Sequence, residues 1–400
     1  MAGGRARRLD VDFNGKAVAL DNGQHILIGA YSETLKLMAD VGVDIPKNLH
    51  RIPLTLQFPD GSGLKLPDLP APLDALLGIA RARGWSWGDK LSLFKTATFW
   101  QLQKFQCAPQ RSVADLCHKV SPRIMATLIE PLCVSALNTP ADRANGQVFL
   151  RVLKDSLFAL KGGSNLLLPR SDLNTLLPDA ALAWLGDQGG QVHLGCRVSS
   201  MTRHTNKSWH LTDGADAPLG QFDSVILACP PSEATRLTRS TTLPSAVWLA
   251  LADGLRYEAI ATIYAHAPGV RLNLPVLALA SSCSYPAQFV FDRGQLGGPA
   301  GLLAFVVSAS QQSSVEITRQ VTAQAAHQLG VQNLQVLQTV VEKRATFACT
   351  PGLRRPAAQV VPGLLACGDY VDGPYPATLE GAVRSGLQAA RLLDIMSVSR

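Results

Sequence analysis

The sequence is poor in charge and lacks the long runs that mark several classes of protein. Charged residues make up 17% of its 400 residues and hydrophobic residues 47%, which excludes an intrinsically disordered chain. No run of 18 apolar residues occurs, so no membrane-spanning helix is predicted. A basic run or basic-aromatic ladder is also missing, and the net charge of +7 is too diffuse to indicate nucleic acid as a partner. This mild excess suits an anionic cofactor or an anionic membrane surface.

Cysteine and histidine show no pattern typical of a metal or disulfide site. The eight cysteines are scattered without a CxxC pair, which predicts free buried thiols in a reducing cytosol. The eight histidines form no HxxxH or HExxH pair, so we assign no metal site. The first 20 residues carry charge but no apolar core, so we expect no secretory signal. These features predict a cytoplasmic protein that contacts a membrane at most from one side.

The order of strand-like and helical segments predicts two domains, each built from non-contiguous pieces. "FNGK" reads as a hairpin turn, and a helix is predicted at 32–42 with Ser32 as its cap and Gly42 at its end. Apolar residues at helical spacing fill 71–160. Strand-like segments follow, among them "QVHLGCRVSSMTRH" and "FDSVILACPP", the latter typical of the end of a buried parallel strand.

The segment "LLACGDYVDGPYPATLEGAVRSGLQAARLL" (364–393) predicts a strand, a loop and a helix at 378–394 with Thr378 as N-cap. The helix carries a face of small side chains, so either a ligand approaches it closely or it packs tightly in the fold. A helix N-terminus offers free N–H groups and a partial positive charge. With Gly368 and Asp369 at the preceding strand end, this segment predicts a cofactor cradle.

The other end of the chain carries "GGRARR" at residues 3–8. Its two glycines allow close backbone approach, and Arg5 and Arg7 have the chemistry to pair with a pyrophosphate. A solvated basic tail is the alternative interpretation of the same letters.

Taken in order, "GGRARR", "LDNGQHILIGAY", "VILACPP", "VVEKRATFACTP" and "GDYVDGPYPATLEGAVRSG" resemble the FAD-dependent amine oxidase/phytoene desaturase superfamily. The pieces "DNGQHILIGAY", "QFVFDRG" and "EKRATFACTP" are most similar to its hydroxysqualene dehydroxylase branch. The resemblance implies an α/β (α+β) two-domain flavoprotein. Its FAD-binding domain would comprise 1–50, 161–235 and 350–400, and its mixed-sheet and helical substrate domain 51–160 and 236–349.

The resemblance also implies a role for individual residues. The pyrophosphate of FAD would be lined by Gly3, Gly4, Arg5 and Arg7, and the isoalloxazine by Asn22, Gly23, Gln24 and His25. Adenine would meet the backbone of Val198. Gly368 and Asp369 would hold the ribityl and phosphate region, and the flavin would lie along Thr378, Leu379, Glu380 and Gly381.

One departure from the superfamily pattern concerns the glycine turn that seats the ADP half of FAD. Members begin with a βαβ unit that carries GxGxxG, whereas this sequence has no GxGxxG and starts two residues before its Gly pair. About 40 residues, the size of one such unit, would be absent. We therefore expect the chain as written to bind FAD weakly and to be poorly stable alone.

For this branch the resemblance implies that hydroxysqualene loses its hydroxyl as water and receives hydride from reduced flavin to give squalene. NAD(P)H is the implied external reductant, and contact with a membrane or with other enzymes of squalene synthesis is an implied association. A carotenoid-type desaturase is an alternative, as is a flavin-free remnant that acts only as a binding partner. An amine oxidase is disfavoured because we locate no aromatic cage.

Two sets of residues are candidates for contact with such a substrate. Proton donors for the leaving hydroxyl are His25 and Glu380, with Asp21 and Tyr31 behind them. The aromatic residues of 85–105 would line an apolar tunnel or its membrane-facing mouth, or else form ordinary helix core: Trp85, Trp87, Phe94, Phe99, Trp100 and Phe105.

Overall fold

The computed structural model describes residues 2–13, 15–159 and 161–398. Its N-terminal part opens with an antiparallel hairpin of β1 (Arg8–Phe13) and β2 (Lys16–Asp21). This confirms the two strands predicted around "FNGK", although Asn14 of the turn lies outside the described residues. The elements that follow are β3 (Leu27–Ile28), α1 (Ser32–Asp40), α2 (Ile45–Asn48), β4 (Leu49–Ile52), β5 (Thr55–Gln57) and β6 (Gly63–Lys65).

The start of α1 differs from the prediction. Tyr31 occupies the N-cap position, makes no side-chain cap, and leaves Ser32 inside the first turn. The expectation that Ser32 caps this helix was therefore wrong. The N–H groups of Glu33 and Thr34 in the first turn instead donate to the carboxylate of Glu380. Gly42 follows the helix with φ +85°, a conformation that favours glycine.

The predicted helical region is confirmed. It contains α3 (Leu73–Arg81), α4 (Trp87–Leu102), α5 (Val113–Leu116), α6 (Pro122–Ile124), α7 (Glu130–Leu137) and α8 (Gly146–Lys154). Two π-helical turns lie at Met125–Ile129 and Asp155–Ala159. At the first of them the backbone N–H of Glu130 donates to the carbonyl of Met125. Pro131 follows without an N–H to donate, which explains why the α-helical ladder shifts here.

The aromatic residues of this region divide between the two interpretations that the sequence left open. Trp85, Trp100 and Phe105 are buried in the main core, as ordinary helix packing predicts. Trp87 and Phe99, by contrast, are 76% and 56% exposed. The helices therefore present an apolar surface outward as well as inward.

The next segment runs from β7 to α12. Its elements are β7 (Leu166–Pro169), α9 (Leu173–Leu176), α10 (Pro178–Asp187), β8 (Ser200–Arg203), β9 (Trp209–Thr212), β10 (Pro218–Phe222), β11 (Val225–Leu227), α11 (Pro231–Arg239) and α12 (Ala246–Asp253). The strand predicted over "QVHLGCRVSSMTRH" forms only at β8. Gly195 has φ +74°, outside the extended region, and its neighbours are exposed.

A five-stranded antiparallel sheet forms the largest β-element of the described chain. It has the order β13 (Val276–Ala278), β14 (Phe289–Asp292), β15 (Leu302–Ser310), β12 (Tyr257–His266), β16 (Gln335–Phe347). A 3₁₀ turn, Arg293–Leu296, follows β14, and α13 (Ser314–Leu329) connects β15 to β16. Alternate residues face opposite sides, so Tyr264 joins the main core while Ile263 packs in a separate cluster that includes Ile317 of α13.

The last elements are β17 (Gln359–Val361), β18 (Leu364–Ala366) and α14 (Leu379–Val398). Strand β18 pairs in parallel with β11, as predicted for "VILACPP". In open sheets of this kind, ligands bind beyond the carboxyl ends of parallel strands. Gly368 and Asp369 stand at that edge, immediately before the chain turns towards α14.

Two further points concern the chain as a whole. The main core combines Leu20 and Leu168 of the first assigned domain with Leu93 of the second, so this core spans both predicted domains. The positions of the domain boundaries therefore remain a prediction. Within the described ranges, no helix combines the length and the apolar content needed to cross a membrane.

Candidate functional site

The two ends of the chain meet at an ion pair. The Nη2 atom of Arg5 lies 2.5 Å from Oδ1 of Asp369, and its Nη1 donates to the carbonyl of Ala345 at 2.5 Å. Burial opposes the charge of Arg5, but the charge and hydrogen bond of Asp369 outweigh it and raise the pKa of Arg5. The structure thus joins a predicted phosphate-binding cation directly to the predicted ribityl-binding carboxylate.

The loop that carries Arg5 requires glycine. Gly3 has φ +92°, and a Cβ there would lie 2.5 Å from the carbonyl oxygen of Ala6, whose N–H donates back to Gly3. Gly4 has φ +59° with nothing within 4 Å of a Cβ. The first glycine therefore closes a tight turn, while the second leaves open space beside it.

Asn22 holds this loop in place. Its Nδ2 donates to the carbonyl of Arg5 at 2.6 Å, and its Oδ1 accepts the N–H of Arg7 at 3.1 Å. The N–H of Asn22 in turn donates to the carbonyl of Arg7 at 2.9 Å. Arg5, Arg7 and Asn22 therefore form one unit, in which the amide of Asn22 is committed to the backbone of the loop.

The next residues, Gly23 to His25, run past the large sheet. The N–H of Gln24 donates to Oγ1 of Thr262 on β12. Nδ1 of His25 lies 2.6 Å from the carbonyl of Gly23; because a carbonyl only accepts, this nitrogen carries the proton and Nε2 keeps its lone pair. Burial lowers the pKa of His25, which favours the neutral imidazole.

The strand end at Gly368 is fixed to the C-terminal helix. The N–H of Gly368 donates to Oγ of Ser385 at 3.1 Å, and a Cβ at Gly368, where φ is +151°, would lie 2.8 Å from the ring of Tyr370. The N–H of Ala377 donates to the carbonyl of Asp369 at 3.2 Å. The helix N-terminus is thereby attached to the carboxylate residue at the sheet edge.

The N-terminus of α14 has the predicted cap and an unusually close neighbour. Oγ1 of Thr378 accepts the N–H of Gly381 at 2.9 Å, as an N-cap does. A Cβ on Gly381 would lie 1.9 Å from the carbonyl oxygen of Tyr375. At Gly381 and Ser385 the small face of this helix is therefore packed against the chain's own 368–375 segment, as the tight-packing alternative predicts. Leu379 packs against the small core cluster of Leu27.

Glu380 is fully buried and serves as the missing cap of α1. Its Oε2 accepts from the N–H and Oγ1 of Thr34 at 2.9 and 2.7 Å, and its Oε1 from the N–H of Glu33 at 3.1 Å. Arg384 Nε donates to Oε1 at 2.7 Å, while its Nη2 donates to Oγ of Ser32. Both carboxylate oxygens are thus occupied by donors, an arrangement that favours a positioning role over proton donation.

Val198 lies apart from these hydrogen bonds. Its carbonyl accepts Nη2 of Arg236 at 2.9 Å, and its side chain packs against the core cluster that contains Tyr370. The structure therefore connects Val198 to the site only through that shared core, and its contact with adenine remains a prediction.

Arg355 and Asp21 lie next to the residues described above. The sequence gave no role to Arg355 and only a secondary role to Asp21. The Arg355 side chain is 9% exposed and donates to the carbonyls of Val371, at 2.7 Å, and Gly373. Asp21 accepts the N–H of Leu173 at 2.8 Å, and burial raises its pKa to about 6. A signal for Arg355 was available in "GLRRP", where two adjacent cations stand without an acidic neighbour.

The residues present fit the diphosphate and hydroxyl groups of a flavin dinucleotide. A glycine turn with open space at Gly4, the cations Arg5 and Arg7, and the N-terminus of a 20-residue helix are donors of the kind that a pyrophosphate requires. The carboxylate of Asp369 is an acceptor for ribityl hydroxyls. No group of three or more metal-ligating side chains occurs in the described part of the chain.

Comparison with known proteins identifies a flavoprotein family. The model of the "Flavin containing amine oxidoreductase" family matches residues 1–394. A hydroxysqualene dehydroxylase of Rhodopseudomonas palustris is 27% identical over 413 residues, covering 98% of this chain and 90% of that protein. Another, of Zymomonas mobilis, is 26% identical over 416 residues, covering 98% and 91%.

Solved structures show the same fold. An oxidoreductase from Methanosarcina mazei superposes with a TM-score of 0.70 at 15% identity, over 98% of this chain and 92% of that one. Cyclohexylamine oxidase from Brevibacterium oxydans gives 0.67 at 14% identity, over 98% and 91%. With this fold and the family match over almost the whole length, the protein is an FAD-dependent oxidoreductase that belongs to the flavin-containing amine oxidoreductase family.

Proposed function

We propose that this protein catalyses the FAD-dependent reductive dehydroxylation of hydroxysqualene to squalene. The observation that carries the proposal is its similarity to three proteins named hydroxysqualene dehydroxylase, two of which it matches over 98% of its length. The identities of 26–27% support a shared reaction class.

In this proposal the chain binds FAD through the cradle described above. Gly3, Gly4, Arg5 and Arg7 hold the pyrophosphate, and Asp369 holds the ribityl region. The N–H groups at the start of α14 add positive potential at the flavin. When bound and reduced by NAD(P)H, FAD supplies the hydride.

The hydroxyl of an allylic alcohol leaves as water only if a proton is delivered to it. Of the two predicted donors, His25 is the better suited, because Glu380 already accepts four hydrogen bonds. Nε2 of His25 is free of its Gly23 contact and would have to take up a proton before delivering it. Burial lowers the pKa of His25, so this step becomes harder as the pH rises.

The test is anaerobic turnover of hydroxysqualene by the purified chain supplied with FAD and NAD(P)H. Squalene, detected by gas chromatography and mass spectrometry and formed only when FAD and the reductant are both present, is the expected product. At saturating FAD, the H25Q variant should bind as much FAD as the parent but lose at least about tenfold in kcat. The G386A variant, changed on an open side of α14, is the matched control and should have the kcat and FAD content of the parent.

Other outcomes would favour the alternatives. Loss of hydrogen from a phytoene-type polyene, with added double bonds and no dehydroxylation, would indicate a desaturase. A folded chain that retains no flavin at excess FAD and turns over neither substrate would indicate a binding partner without redox activity.

A further inference from the structure

Helix α4 presents apolar side chains to solvent along one face. Trp87, Leu91 and Leu102 are 76%, 52% and 76% exposed. At 100° per residue these positions fall within about 60° of one another around the helix axis. Phe99 borders the same face and is also exposed. The exposed apolar residues therefore share one side of the helix, on which exposed Lys95 and Thr98 also lie.

The other side of α4 is anchored in the protein. Leu93, Thr96 and Trp100 are buried, and Ser86 and Asp89 form a capping box at the helix start. The helix is thus held rigidly by its inner face. Its outer apolar residues contribute nothing to this core, so their exposure needs another explanation.

Helix α3 extends the apolar surface. Leu73, Leu76 and Leu77 are 53%, 45% and 36% exposed, whereas Gly78 packs against Leu66 of the body. The two helices are joined where Nζ of Lys90 donates to the carbonyl of Ala80 at the end of α3. We call the exposed leucines of α3 with Trp87, Leu91, Phe99 and Leu102 the α3–α4 face.

The surroundings of the α3–α4 face are cationic. Residues 73–123 contain eight Lys and Arg against three acidic residues, a net +5 of the +7 carried by the whole chain. Arg81, Arg83, Lys95 and Lys104 are exposed on or beside the two helices. Lys95 lies within the apolar face of α4 itself, with a stem long enough to carry its charge to a headgroup layer.

We propose that the α3–α4 face docks on an anionic phospholipid bilayer, with its apolar side chains at the acyl boundary and its cations on the phosphates. An apolar helix face with flanking Lys and Arg and an exposed Trp is the pattern that binds membrane interfaces. Charge complementarity favours an anionic bilayer over a neutral apolar protein surface. Contact with a neutral surface would remove water from the cations of the α3–α4 face without supplying anions to pair with them. The inference uses the surface alone and does not depend on the proposed reaction.

An open cleft of about 520 Å³ lies beside the docking helix. Its lining includes Val120, Met125 and Glu130, and the adjoining Ser121 donates its N–H to Oγ of Ser92 on α4 at 3.1 Å. Docking through the α3–α4 face would bring this surface cleft close to the lipid.

The experiment is flotation of the full chain with vesicles of phosphatidylcholine containing 30% phosphatidylglycerol, compared with pure phosphatidylcholine. At 0.15 M salt we expect at least about tenfold stronger partitioning into the anionic vesicles. The triple variant W87S/L91S/L102S should lose at least about tenfold of this binding. The matched control L194S/V247S/V315S removes equally exposed apolar residues elsewhere and should bind as the parent. Circular dichroism and melting temperature check that each variant is folded.

Three results would overturn the proposal. One is a folded parent chain that does not float with anionic vesicles, and a second is a triple variant that binds as well as the parent. The third is a parent that self-associates in solution without binding vesicles while the triple variant is monomeric, since the face would then belong to a second copy of the chain. Turnover of detergent-solubilised hydroxysqualene is unaffected by any of these, so failure here is distinguishable from failure of the proposed reaction.

Discussion

Arg5 and Asp369, which are 364 residues apart in the chain, form an ion pair of 2.5 Å at the edge of the parallel strands. Their side chains are 32% and 11% exposed, so the pair is partly shielded from water. It connects the N-terminal glycine turn to the strand end that precedes α14. The integrity of the candidate site therefore depends on both ends of the chain at once.

Removing the charge of Asp369 should destabilise the fold. In D369N the guanidinium of Arg5 stays half-buried beside a neutral amide, and we expect the free energy of unfolding to fall by about 2 kcal/mol. Urea denaturation monitored by circular dichroism measures this. The control D10N breaks the exposed Arg8–Asp10 pair and should cause no measurable change. Equal midpoints for D369N and the parent would show that the pair does not stabilise the fold.

Two glycines of α14 should respond oppositely to alanine. In G381A the new Cβ would lie 1.9 Å from the backbone oxygen of Tyr375, so the loop before the helix must move. We expect a loss of about 3 kcal/mol or more. In G386A the Cβ meets nothing within 4 Å, and the higher helix propensity should stabilise by about 0.5–1 kcal/mol. Thermal melts of both proteins give the signs, and stabilisation by G381A would contradict the close approach described here.

Replacing Glu380 by glutamine tests whether it is a cap or a proton donor. The amide NH₂ of E380Q would face N–H donors of Thr34 or Glu33, so we expect about 3 kcal/mol of lost stability. The exposed carboxylate of Asp187, replaced in D187N, serves as control and should leave stability unchanged. A large fall in kcat for E380Q without any change in the denaturation midpoint would instead identify Glu380 as a catalytic acid.

Asp21 predicts a specific pH dependence of stability. Its pKa is raised by burial from 3.8 to about 6, so folding favours the protonated acid. This contribution is complete below about pH 4 and is lost as the pH rises through 6, at a cost of about 3 kcal/mol by pH 7. In D21N the loss should be absent, so the variant should gain on the parent between pH 4 and pH 7 in urea titrations. A parent-minus-variant difference in the free energy of unfolding that is constant with pH would disprove this.

Sequence patterns predicted the elements whose cause is local. The hairpin of β1 and β2, the helices of 71–160, the parallel strand β11 and the cap at Thr378 all follow from residues within a few positions. Two predictions failed where a local signal competed with the rest of the fold. Ser32 has good capping chemistry, yet Glu380 fills that place from 346 residues away. The strand over 191–204 is shortened because Gly195 adopts a left-handed conformation.

By itself, the sequence determined the family, the alternation of strands and helices and the glycines and cations that the candidate cofactor site requires. These are encoded by residue types and by spacings that act over one or two turns of chain. Only the tertiary structure decided what each polar group contacts: Arg5 with Asp369, Asn22 with the loop of Arg5, and Glu380 with α1. Such partners are chosen by which buried donors and acceptors must satisfy one another once distant segments pack, and no local pattern in the sequence records that choice.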